Sequence, residues 1–139
     1  MAKHLIDKVA DKAVTDRDLL VDELADMIEG GSLLASDIVE VVNRLVNILG
    51  SEDDPAVMES IFNLLGSAFD RIGMQEDALL MIVSLLDRLQ SGCLVHAIPL
   101  VGRSNFQNRR QLIAPFLNSP NIAVRQVAEI YSGSNNDES

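Results

Sequence analysis

The chain has 139 residues, 47% of them hydrophobic and 23% charged, with 4 prolines, 1 cysteine and no tryptophan. This composition excludes a disordered or collagen-like chain and an internal disulfide, and it predicts one folded domain over residues 1–132 with a disordered polar tail at 133–139. The formal net charge of −10 is concentrated at one end: residues 1–59 hold 14 acids and 5 bases, and residues 60–139 hold 7 acids and 6 bases. An acidic half of this kind repels nucleic acid and attracts basic partners through its long-range field.

Apolar residues recur with helical spacing along the chain. Leu5, Ile6, Val9, Ala10 and Ala13 form a first stripe; Leu20, Leu24, Met27 and Ile28 form a second, stopped by Gly30 and Gly31. Ser36 is placed as the cap of a third helix reaching Leu49, with Asp37 and Glu40 in its first turn. That segment is rich in β-branched residues, but Ile38, Val41, Val42, Leu45, Val46 and Leu49 repeat every three or four positions, over a length few strands reach. Asp54 and Pro55 open a fourth helix as N-cap and first residue, with apolar side chains over much of its circumference. A fifth is expected from about Asp77 to Gln90. A shorter piece over residues 94–101 should kink or stop at Pro99, a seventh over 105–118 is interrupted by Pro115, and an eighth runs from about Asn121 to Tyr131.

The stretch LNSPNIAVRQVAEIY at 117–131 has an earlier counterpart at 49–66: Ala56-Val57 aligns with Ala123-Val124, each after a short Ser/Asn/Asp/Pro turn. The expected fold is therefore all-α, about eight helices in antiparallel pairs, with three pairs starting near residues 38, 76 and 105. The proline-bent segments Ala97-Ile98-Pro99-Leu100 and Leu112-Ile113-Ala114-Pro115-Phe116-Leu117, followed by Val124-Arg125-Gln126-Val127-Ala128, resemble the HEAT repeat, best over residues 105–132. The resemblance implies a right-handed superhelical stack in which Arg125 braces adjacent repeats; in the earlier copy Met58 takes its place. An irregular helical bundle is the alternative.

Little in the chain resembles catalytic chemistry. Cys93 and His96 offer two ligands where a metal site needs more, and as a catalytic pair they lack a third orienting group. No phosphate-cradling loop, nucleophile elbow or calcium loop is present, and the acidic turn Glu52-Asp53-Asp54 reads as a helix cap. No enzyme activity, cofactor or metal is expected. Arg103, Arg109, Arg110 and Phe106 form one basic patch, too small to recruit nucleic acid against the net charge. No apolar run reaches the roughly 18 residues of a membrane span, and the first 14 residues carry charges every few positions, so a cytoplasmic protein is expected.

The strongest remaining signal is acidic. Asp18, Asp22 and Asp26 recur at every fourth position, Glu29 continues the row, and Asp37 and Glu40 open the next helix, with Arg17 the one nearby base. Carboxylates so spaced repel one another by a few tenths of a kcal/mol per pair, and the same row attracts a basic protein. The expected function is a non-enzymatic binding module, a monomer when free, whose partner-binding residues are these six acids. In its most specific form it is an acidic inhibitor or immunity protein neutralising a basic toxin such as a nuclease. The alternative is a structural adaptor or self-associating helical-repeat subunit.

Overall fold

A computed structural model describes residues 2–132; the tail expected at 133–139 lies outside the described residues. The described chain is all-α, with eight helices: α1 (Ala2–Ala10), α2 (Arg17–Glu29), α3 (Ala35–Leu49), α4 (Pro55–Ile72), α5 (Glu76–Leu85), α6 (Ser91–Gly102), α7 (Arg109–Ile113) and α8 (Ile122–Tyr131). Short 3-10 turns, Leu86–Arg88 and Ala114–Asn118, extend α5 and α7. The ambiguous third segment is a helix with its predicted buried stripe.

The helices neighbour one another in two rows. α2 packs on α4, α4 on α6 and α6 on α8, while α1 packs on α3 and α3 on α5. Each odd helix also meets the even helix that follows it. Four pairs therefore begin at Ala2, Ala35, Glu76 and Arg109, and the acidic N-terminal helices are a pair in their own right. One continuous buried cluster runs from Leu5 to Ala128, and α4 sits at its centre with Val57, Ile61, Phe62, Leu64, Leu65 and Ala68 enclosed. That explains its two apolar faces: α2, α3 and α6 each cover part of it.

Joints within pairs gather at one end of the molecule. Lys12 Nζ donates to the Ser51 carbonyl at 2.7 Å, and Arg88 Nη2 reaches the Gly50 carbonyl at 3.4 Å, so the first and third joints both fasten to the second. At the opposite end Gly31 stops α2 in the left-handed region, φ 77°, while Ser32 N–H bonds the Met27 carbonyl and Gly31 N–H the Ile28 carbonyl. This is the glycine-terminated helix end that the Gly30-Gly31 signal predicted.

The two aligned joints carry a side-chain cap at the same position, although the N–H groups held differ by one residue. Asp54 Oδ1 accepts from Ala56 N–H at 2.9 Å, and Asn121 Oδ1 from Val124 N–H at 3.1 Å. Two residues earlier, Glu52 Oε2 accepts from Asp54 N–H and Ser119 Oγ from Asn121 N–H. Asp54→Ala and Asn121→Ala should each lower stability by about 0.5–2 kcal/mol in chemical denaturation. Ser36→Ala should stay within about 0.5 kcal/mol, because the expected Ser36 cap is absent: α3 starts at Ala35, with Leu34 at the cap position.

Several boundaries differ from expectation. α1 ends at Ala10 because the chain turns on Asp11, whose Oδ1 accepts from Ala13 N–H; Ala10 and Ala13 are exposed. α5 tightens into a 3-10 turn after Leu85, and α6 begins at Ser91, earlier than predicted. Pro99 does not end α6, which continues to Gly102. Pro99 and Val95 both line an open groove, where water can take the place of the missing Pro99 donor to the Val95 carbonyl. The seventh helix is short, since Pro115 converts its second half to 3-10 geometry. Arg125 stays within its own joint, Nη1 donating to the Ser119 carbonyl at 3.1 Å.

α6 and α8 approach closely at Gly102, where an added Cβ would lie 2.6 Å from Tyr131 Cβ. Gly102→Ala must push α8 outward and should cost about 1–3 kcal/mol, read as a lowered Tm.

Candidate protein-docking surface

Helix α2 buries Val21, Leu24, Ala25 and Ile28 on one side. At 100° per residue, Asp18, Asp22, Asp26 and Glu29 fall within an arc of about 80° beside that stripe. Asp18 and Asp22 are half-buried; Asp26 and Glu29 are exposed. Glu29 Oε2 accepts from Ser67 Oγ at 2.6 Å, which sets this edge of α2 beside α4. The row therefore belongs to the surface of the even helices, and α4 extends it with exposed Glu59, Asn63 and Asp70. Asp37 and Glu40 lie on α3, in the odd row, half-buried and exposed respectively. Four of the six expected carboxylates share a helix face and two do not join it.

Among the described residues, Asp18, Asp22, Asp26, Asp37 and Glu40 make no ion pair; the pairs formed are Arg17 with Glu52, Arg44 with Asp7, and Arg103 with Asp70. Arg17, the one cation of α2, is turned inward. Its Nη1 and Nη2 meet Glu52 Oε1 and Oε2 at 2.8 and 2.9 Å, and Nη1 also meets the Val9 carbonyl at 3.0 Å. The two side chains are only 7% and 1% exposed. The planar guanidinium supplies two parallel bonds to the carboxylate and a third to the end of α1. Hydrogen bonding to Arg17 holds the Glu52 carboxyl below the usual range despite burial, which pushes it up, and Glu52 in turn raises the Arg17 guanidinium.

This pair corrects the reading of Glu52 as part of a capping turn. Asp54 is the cap, and Glu52 is the buried anchor joining α1, α2 and the α3–α4 joint. Its partner lies 35 residues away in sequence. The available signal was pairwise: the only cation of an acidic helix, and an acid three residues after the apolar end of α3.

The other predicted groups separate. Cys93 is buried in the core, where burial, with the charge of Glu59, raises its thiol pKa; His96 lines the groove between α4 and α6 with Asn63, Ser67 and Asp70. The structure does not assemble them into a nucleophile and base at one opening. In the basic patch, Arg103 bonds Asp70 at 2.6 Å and lies 4.3 Å from the centroid of Phe69, while Arg109 Nη1 bonds the Phe106 carbonyl. Arg110 is exposed.

A cleft of about 810 Å³ opens between α3, the α4–α5 joint and the α6–α7 loop. Its walls are largely apolar, with Val39, Val42, Ile72, Met74, Leu79 and Phe106, and Arg103 stands at its edge. No sequence signal marked it, because its lining comes from three separate segments. Among the described residues no three His, Cys, Asp or Glu side chains gather as a metal site, and no helix is long and apolar enough to cross a membrane. Comparison with family models, curated proteins and solved structures gives no match to this chain.

Proposed function

We propose that this chain is a non-enzymatic protein-binding scaffold whose acidic α2 face docks a basic protein. In its most specific form it is an inhibitor of the immunity-protein kind, neutralising a basic toxin such as a nuclease by placing carboxylates where phosphates would bind. The observation that carries the reading is the treatment of charge on α2. Its one arginine is committed to Glu52, leaving Asp18, Asp22 and Asp26 without a cation among the described residues. Such a row costs a few tenths of a kcal/mol per neighbouring pair in the free protein and repays it when a cationic surface arrives. The scaffold is read as a short, right-handed HEAT-like stack, supported by the two rows of helices and the recurring capped joint.

The test is capture from the native host. At low salt, immobilised protein should retain a basic protein that elutes as salt is raised, and the Asp22→Lys/Asp26→Lys variant should not retain it. Equal retention by both proteins would remove the acidic face from the account. A second reading, a structural adaptor gripping an apolar segment, is favoured by the cleft; Ile72→Asp, at an exposed position of its wall, would then abolish capture while the α2 variant retained it.

A further inference from the structure

Among the described residues, α8, the last of the even helices, has a neighbour on one side only. α6 packs against it through Gly102 and Tyr131, and the Ala114–Asn118 turn lies on its odd-row side. Ile122, Gln126 and Ile130 recur at every fourth position along the uncovered side, with Ile122 61% and Ile130 67% exposed. Arg125 and Glu129 flank this stripe on one edge, Ala123 and Val127 on the other.

A further helix of the same kind does not fit this face. In the joint alignment that sets Ala56 on Ala123, Phe62 of α4 corresponds to Glu129 of α8. Phe62 is buried and lines the contact with α6 alongside Val95 and Leu100. A carboxylate at that position is unsuited to burial against a further helix packed as α6 packs on α4. The two exposed isoleucines then need an occupant that also answers Arg125 and Glu129.

We propose that the occupant is a second copy of this chain, docked through α8 in antiparallel, two-fold symmetric register centred on Gln126. That register places Ile122 of one copy against Ile130 of the other, twice. In an antiparallel pair like edges face each other, so Arg125 meets Glu129 of the second copy and Glu129 meets its Arg125, while the Ala123 and Val127 edges meet as apolar surface. Arg125 uses Nη1 for the Ser119 carbonyl and keeps its other donors for the carboxylate. The interface is self-complementary, as a two-fold contact must be. It joins the near-neutral halves, residues 60–139 with 7 acids and 6 bases, and leaves the two acidic halves outermost. This dimer stands in place of the monomeric free state expected for the binding module and is independent of what α2 binds.

Sedimentation over a concentration series tests it with the full chain. The mass should rise toward twice the monomer value, and Ile130→Glu should hold it at the monomer value with the helical circular dichroism unchanged. Glu129→Arg should weaken the dimer at least tenfold, and Arg125→Glu/Glu129→Arg should restore it, because the swap re-forms both pairs only in the antiparallel register. Gln126→Cys should cross-link to its symmetry mate on oxidation, and Gln111→Cys, on α7, should not. A mass that stays monomeric to the highest soluble concentration, or a dimer indifferent to Ile130→Glu, overturns the proposal. Failure of the charge swap or of the Gln126→Cys cross-link overturns this register.

Discussion

Glu52→Ala is expected to destabilise the protein by about 3–5 kcal/mol, the largest effect of any single polar substitution. The loss exceeds the worth of the pair because Arg17 is left behind, buried and charged, with only the Val9 carbonyl among its described partners. The same substitution frees Asp54 N–H and loosens the α3–α4 joint, where Gly50 and Ser51 also hold Arg88 and Lys12. Chemical denaturation measures the loss, and the double variant Arg17→Met/Glu52→Leu discriminates its cause. Removing both charges should recover most of the stability, since a buried ion pair replaced by apolar groups of similar size is often near neutral. A double variant as unstable as Glu52→Ala would mean that the hydrogen bonds to the joint, and not the orphaned charge, carry the effect.

The same pair sets a pH dependence. Glu52 has its folded pKa held below the ordinary 4.5, so the folded state binds its proton less readily than the unfolded chain does. The stabilisation is fully present above about pH 5 and is lost as pH falls through the depressed folded value. The acid limb of a denaturation profile should therefore be shallower in Arg17→Met/Glu52→Leu than in wild type.

Features that depend on neighbours in sequence were legible before any fold was known. The Asp54 cap, Pro55 at the first helical position, the glycine stop after α2 and the buried stripe of α3 each follow from a few adjacent residues, and each stands in the structure. Asn121, expected to begin α8, proves to be its cap, one residue before the first helical position. Ser36 misled because a hydroxyl near a helix start is a cap only at the right position, and Leu34 occupies it. Features that depend on distant segments were not legible. Glu52 and Arg17 meet across two helices, and the cleft draws on α3, α4, α5 and the α6–α7 loop. The acidic row was half legible: spacing places Asp18, Asp22, Asp26 and Glu29 on one face, but only the row arrangement separates them from Asp37 and Glu40.

That separation gives the second large expected effect. Reversing Asp22 and Asp26 to lysine changes the field of the even-helix surface by four charges where no described cation offsets them, and steered association should slow by about 10- to 1,000-fold at low salt. Neither side chain is fully buried, so stability should change by no more than about 0.5 kcal/mol. Asp37→Lys/Glu40→Lys makes the same change in net charge from the other row and should slow association far less. Equal effects would mean that net charge, and not a surface, governs binding.

The most direct measurement is the association rate of the captured basic partner with wild type and with Asp22→Lys/Asp26→Lys, by stopped flow over a range of ionic strength. The wild-type rate should fall steeply with salt and the variant should be slow at low salt, the two converging as screening shortens the field. Identical rates for the two proteins at every ionic strength would contradict docking through the acidic α2 face.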